Sequence, residues 1–253
     1  MRLAKQSPTL LTVAALLSLA VVVGCWQFSS LPRYVLPRPS EVLDVFVNQP
    51  QLLLKATGTT VVEAAIGFVI SLIAGILLGV ASVTSRLFNR TIYPLLVASQ
   101  AVPTLALAPL IVVWFGFGLT SKVIVTALIT FFPIVVATAV GLRSLRPDAM
   151  ALARSIGLSR VQTFMKLQLP AGLPSIFGGI KVASTLVVVG AVVGEFIGSS
   201  SGLGYLDLRA TGNIDTPLVF AVLIMMVFVG FLFYSIASVA ESMAVPWRRR
   251  SAK

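Results

Sequence analysis

Six apolar runs, each about as long as a membrane-crossing helix needs to be, constrain this chain more than any other feature. They occupy residues 9–28, 59–83, 92–115, 122–142, 176–198 and 217–240. In lipid, a backbone must satisfy its own hydrogen bonds, so runs of this length predict helices. Hydrophobic residues make up 57% of the chain and charged ones 11%, with a mean hydropathy of +1.01. Soluble domains are about 25% charged. The expected fold is therefore all-α, a polytopic transmembrane helical bundle of six spans.

Within the runs, small residues recur every four positions. Gly67, Ser71, Gly75 and Gly79 form one stripe, and Gly190, Gly194 and Gly198 another. Such stripes let helices approach closely. Pro103, Pro109 and Pro133 sit inside runs. Helix breakers at depth line protein or a cavity rather than lipid. The first run has a second reading as a signal peptide, since Val22-Val23-Gly24-Cys25 resembles a lipoprotein cleavage box. Its apolar part exceeds the usual signal core of about 7–15 residues, which favours a retained helix. Residues 31–40 carry Pro32, Pro37 and Pro39 and predict an extended external segment. Ser40 is expected to cap an amphipathic piece over 41–47, with Val42, Leu43, Val45 and Phe46 available to the membrane surface.

The formal net charge is +11. On a soluble chain that balance would suggest nucleic acid; here the charges lie between apolar spans, so membrane topology explains them. With the N-terminus inside, Arg2, Lys5, Arg86, Arg90, Arg143, Arg146, Arg154, Arg160, Lys166, Arg248, Arg249, Arg250 and Lys253 are cytoplasmic. Arg33, Arg38, Lys55, Lys122 and Arg209 are external, and Lys181 snorkels inward from its span. That bias predicts both termini in the cytoplasm. The chain has no histidine and one cysteine, Cys25. Disulfides, zinc sites and histidine acid–base chemistry are excluded. It has no G-x-x-x-x-G-K-[ST] phosphate loop, so any ATP must be handled by a partner.

The loop after the fourth run is the longest polar-enriched stretch between spans. Asp148 can cap a helix after Pro147, and Gly157 can stop it. Ser159 and Gln162 form a capping-box pattern, so a second helix is expected from Arg160. Pro170 and Pro174 are expected to end it. Met150, Ala153, Ile156, Val161, Phe164 and Met165 recur at helical spacing, which suggests a docking surface, with Phe164 as the anchor.

This loop resembles the cytoplasmic "EAA" loop of importer-type ATP-binding-cassette permeases, with its pattern E-A-A-x-x-x-G, nine residues, I-x-L-P. Gly157 is followed by nine residues and then Leu167-Gln168-Leu169-Pro170; Ala153 matches, while Ala151 and Leu152 stand where the family has Glu and Ala. Tyr34-Val35-Leu36-Pro37-Arg38-Pro39-Ser40, Ala106-Leu107-Ala108-Pro109-Leu110, Trp114-Phe115-Gly116-Phe117-Gly118 and Ser201-Gly202-Leu203-Gly204-Tyr205 are similar to the branch serving nitrate, sulfonates, taurine and pyrimidine-type vitamin precursors.

The resemblance implies the type I (MetI-like) permease fold, with an N-terminal helix and external segment over 1–57, a permease core over 58–245 and a basic tail over 246–253. It also implies an ATPase-coupling loop at 143–174, carried by Ala153, Arg154, Gly157, Ser159, Phe164, Leu167, Leu169 and Pro170. The implied partners are a second permease copy, a cytoplasmic ATPase dimer that binds ATP and magnesium, an extracytoplasmic substrate-binding protein and membrane lipid. The chain itself would hold no cofactor and catalyse nothing, in the inner membrane of a bacterium.

Glu63 and Glu195 are the acids nearest the membrane and share an outer level. Buried membrane charges are functional candidates, although an acid near a helix end can be merely interfacial. Ser99, Gln100, Pro103 and Thr104 offer a second set for a translocation path; their other reading is interhelical hydrogen bonding. Lys181 is the one basic residue well inside a run. That distribution leans toward a neutral or cationic heterocycle over an anion. An ion-driven secondary transporter would need an inverted repeat and midplane carboxylates, and neither is visible. A non-transporting scaffold would have no use for prolines and small-residue stripes around a path.

Overall fold

The computed structural model describes residues 31–249 and, before them, 17, 18, 21 and 24–28. The first apolar run, 9–28, falls largely outside the described residues. Ten α-helices follow it: α1 (Pro39–Asn48), α2 (Pro50–Thr84), α3 (Arg86–Ala98), α4 (Thr104–Phe115), α5 (Leu119–Arg143), α6 (Pro147–Ser155), α7 (Arg160–Thr163), α8 (Leu169–Gly198), α9 (Leu203–Gly212) and α10 (Thr216–Ala244). No strand occurs among the described residues. α2, α5, α10 and the stretch Arg160–Gly198 are each long and apolar enough to cross a bilayer; α3 and α4 add a fifth crossing if counted together.

α5 is the centre of the bundle, and the small-residue stripes explain why. A Cβ on Gly67 would stand 2.6 Å from Thr126 Cβ, and one on Gly75 2.8 Å from Ile134 Cβ. Between them, the Ser71 and Thr130 hydroxyls are 2.6 Å apart. α2 therefore lies against α5 in the same direction, four residues matched to four. From its other side α8 runs antiparallel: Gly190 faces Thr126, Gly194 faces Lys122 and Gly172 faces Gly141. At Gly67, Gly75, Gly79, Gly190 and Gly194 an added side chain would push the helices apart. α10 packs along α8, antiparallel in turn, with Lys181 Nζ 2.6 Å from Glu241 Oε2.

The parallel seam settles how the segment between α2 and α5 must run. α2 ends beside the end of α5, where Arg143 donates to the Ser82 carbonyl at 3.0 Å. α5 starts at the opposite end, beside Glu63. The chain from 85 to 118 thus traverses the whole length of the bundle. It does so as a broken span rather than a straight helix: α3 and α4 meet at 100° around the short turn 99–103. Pro103 has no N–H to continue the ladder and biases Val102 to an extended conformation, observed at ψ 120. α3 buries no residue at all; α4 buries Val112, and Ala108 and Ile111 against Val125 and Val193.

Three local expectations differ from the structure. α1 begins at Pro39 in its first turn, not after Ser40, because proline fits that position; Val42 and Val45 point into the core rather than to the membrane surface. Asp148 lies inside the first turn of α6, exposed and 3.2 Å from Arg146, and caps nothing. Pro170 and Pro174 do not end the second loop helix. α7 widens into a π-turn over 164–168, with Leu169 N–H bonded five residues back to Phe164, and passes into α8. Pro170 then sits in a first turn, where its missing N–H costs little.

Candidate functional site

Two regions at opposite ends of the bundle carry the polar chemistry. The loop between α5 and α8 is the first. α6 closes in a Schellman motif: Gly157 N–H donates to Arg154 O at 3.1 Å and Leu158 N–H to Ala153 O at 3.0 Å. Gly157 adopts φ +76, which a side chain resists. α7 opens on the expected capping box, with Gln162 N–H to Ser159 Oγ at 3.2 Å and Ser159 N–H to Gln162 Oε1 at 2.9 Å. All these bonds are local, which is why the sequence discloses them. Ala153 is buried, whereas Leu152, Ile156, Val161 and Met165 are exposed beside Arg154 and Arg160. Phe164 departs from the expectation of a free anchor: it is half-buried and, with Leu169, packs on the chain's own core. Leu167 and Pro170 are half-buried where the loop joins α8. Arg143, exposed at the end of α5, binds Ser82 O and Asn89 Oδ1 and stacks 5.4 Å over Tyr93.

At the other end lies a buried polar cluster. Glu63 and Glu195, expected at one level, do share it, at 3% and 1% exposed. Lys122 was expected outside. It is 5% exposed and its ammonium lies 2.6 Å from Glu63 Oε1. The reason is Gly194, which brings α8 against the Lys122 backbone and leaves its side chain to run between helices. Lys181 is therefore not alone as a basic residue inside the bundle. Glu195 Oε1 accepts from Thr60 Oγ1 at 2.6 Å, and Oε2 from the Gly204 N–H. Nothing local in the sequence marks Thr60, whose bonds to Glu195 and Leu203 span 135 and 143 residues. A cavity of about 330 Å³ adjoins the cluster, lined by Phe117, Gly118, Lys122 and the stretch 197–200. On α9, burial pushes the Asp207 carboxyl up from its ordinary pKa, and its Oδ1 meets no partner.

Ser99, Gln100 and Pro103 are brought to neither region. They lie exposed at the break between α3 and α4, with Thr104 half-buried beside them. No cluster of metal-binding side chains occurs among the described residues.

The sequence profile for the family "Binding-protein-dependent transport system inner membrane component" matches residues 67–243. A formylaminopyrimidine transport permease protein of Halalkalibacterium halodurans is 38% identical over 89% of this chain and 92% of its own. A riboflavin transport system permease protein of Chloroflexus aurantiacus is also 38% identical, over 91% of this chain and 88% of its own. Among solved structures, a chain of the MetNI methionine ABC transporter in an inward-facing conformation superposes with a TM-score of 0.60. It is 20% identical and covers 79% of this chain and 98% of that one, which shows the shared fold. The chain belongs to the binding-protein-dependent inner membrane components, the permease subunits of ABC importers.

Proposed function

We propose that two copies of this permease pair around a path for a small polar heterocycle of the pyrimidine or riboflavin type. Its cytoplasmic loop docks in a groove of an ATPase dimer that binds ATP and magnesium and does the hydrolysis. The observation that carries the reading is the loop itself. It is folded by its own caps, yet leaves Leu152, Ile156, Val161 and Met165 exposed. An apolar face on short helices outside the spans fits a helix-in-groove contact. Movement of the ATPases then tilts a bundle with two stable arrangements. The second copy covers α3 and the free face of α4, which their own chain leaves bare. An external binding protein delivers the solute at the end that holds Glu63 and Glu195, and both chain termini are cytoplasmic. The heterocycle is favoured by the two relatives named above.

The test uses permease, ATPases and binding protein reconstituted in vesicles that hold ATP and no ion gradient. Accumulation of riboflavin or a formylaminopyrimidine, but not taurine or nitrate, is expected. Val161→Glu should weaken ATPase association by about tenfold or more if it is a hot spot, and abolish solute-stimulated hydrolysis. Full coupling in that variant would remove the loop from its role, and uptake only under an ion gradient would favour a secondary transporter.

A further inference from the structure

We propose that Glu195 and Thr60 are positioning residues that latch α9 onto the neighbouring spans, so that the outer end of the subunit moves as one body during transport; this rests on the importer reading. The observation is the way α9 begins. A helix start ordinarily places Ser, Thr, Asp or Asn just before its first turn to hold the free amides. Here that position is Gly202, with φ +108 and no side chain to offer. The caps come from elsewhere in the chain. Leu203 N–H donates to Thr60 Oγ1 at 2.8 Å, Gly204 N–H donates to Glu195 Oε2, and Thr60 Oγ1 donates to Glu195 Oε1 at 2.6 Å.

A local cap would satisfy the same amides without attaching α9 to anything. A cap drawn from α2 and α8 satisfies them only while three elements keep their places. Gly202 and Gly204 complete the device. A Cβ on Gly202 would collide with the Glu195 carboxyl carbon, and one on Gly204 would stand 2.9 Å from Glu195 Oε2. Glu63 lies alongside Glu195 and binds Lys122, which joins α5 to the same unit. Thr60 and Glu195 are buried, so in this conformation neither meets a solute.

Hydrogen exchange over residues 199–215, read together with ATP-driven riboflavin and formylaminopyrimidine uptake by the reconstituted complex, tests the latch. Thr60→Val keeps the shape and loses the hydroxyl, Glu195→Ala removes the carboxylate, and Thr60→Ser keeps the hydroxyl. Exchange within α9 is expected to rise at least about tenfold in the first two, with uptake falling in step, while Thr60→Ser behaves as wild type and the α2–α5 seam stays protected. Faster exchange with full uptake would overturn the role in transport. Lost uptake with unchanged exchange would instead make Glu195 a residue of the path, and loosening of every span would make the cluster a general stabiliser; either overturns the latch. A wild-type complex that hydrolyses ATP but accumulates neither compound would defeat the proposed solute class, and the exchange measurement would still decide whether the cap holds α9.

Discussion

Gly157 and Ile214 stand at the same place in two copies of one helix-ending motif. At the end of α9, Ile214 N–H donates to Thr211 O at 3.1 Å and Asp215 N–H to Ala210 O at 2.9 Å, repeating the bonds that close α6. Both residues turn left-handed, at φ +76 and +57. Glycine does so freely; a residue with a Cβ gives up about 1–2 kcal/mol, and a β-branched one has least room. A Cβ on Gly157 would touch nothing, so the backbone alone decides its substitution. Gly157→Ala is expected to destabilise the purified subunit by about 1 kcal/mol. Ile214→Gly should cost nothing, because relief of strain offsets the entropy that glycine adds to the unfolded chain. Thermal unfolding of the two variants checks the pair; a neutral Gly157→Ala would contradict the assignment. Glycine after a helix is a readable stop, whereas Ile214, 72% exposed, gives the sequence reader no such sign.

Among the elements, α5 matters most because two helices approach it through residues too small to keep them away. The cost of violating that approach depends on where along α2 it is done. A Cβ on Gly75 would lie 2.8 Å from Ile134 Cβ and 3.0 Å from the Phe131 carbonyl, while one on Gly58 would touch nothing. Gly75→Leu should therefore destabilise the subunit by about 1–3 kcal/mol or more, and Gly58→Leu should be neutral or stabilising, since leucine favours helix. Equal melting temperatures for the two variants would mean that the stripe faces lipid. The four-residue recurrence was legible in the sequence, and the structure uses it at both stripes. The partner face, Thr126, Thr130, Ile134 and Thr138 on α5, recurs on the same period, but nothing in the period says that the two rows meet. Those residues are ordinary members of an apolar run.

For the molecule as a whole, the seam fixes relative directions, and the distribution of basic residues gives the proposed sense in the membrane. With Cys25 replaced by Ser, cysteines introduced at Ser40 and Ser200, both exposed, should react with an impermeant thiol reagent from outside the cell. One at Ser159, also exposed, should react only after the membrane is opened. Labelling in the opposite pattern would invert the molecule, placing the loop between α5 and α8 outside and defeating the proposed ATPase docking along with the orientation.

Read alone, the residues place most of the helices, mark the closely packed faces and show the Gly157 stop and the Ser159–Gln162 cap of the loop between α5 and α8. Those properties follow from hydropathy, a four-residue period and bonds that reach at most five residues along the chain. The rest comes from contacts between residues far apart in the chain. Pro103 announces a break, but the full crossing of the segment follows from α2 and α5 lying parallel. Pro170 and Pro174 look like stops, yet Pro170 directly follows a π-turn and Pro174 lies inside α8. Lys122 reads as an external charge until Glu63, 59 residues earlier, and the missing side chain of Gly194 draw it inside. Thr60 has no signal at all, because its meaning comes from Glu195 and Leu203, which only folding brings within hydrogen-bond reach. Local chemistry is written in neighbouring residues; a buried polar contact is a property of two distant ones, and neither declares it alone.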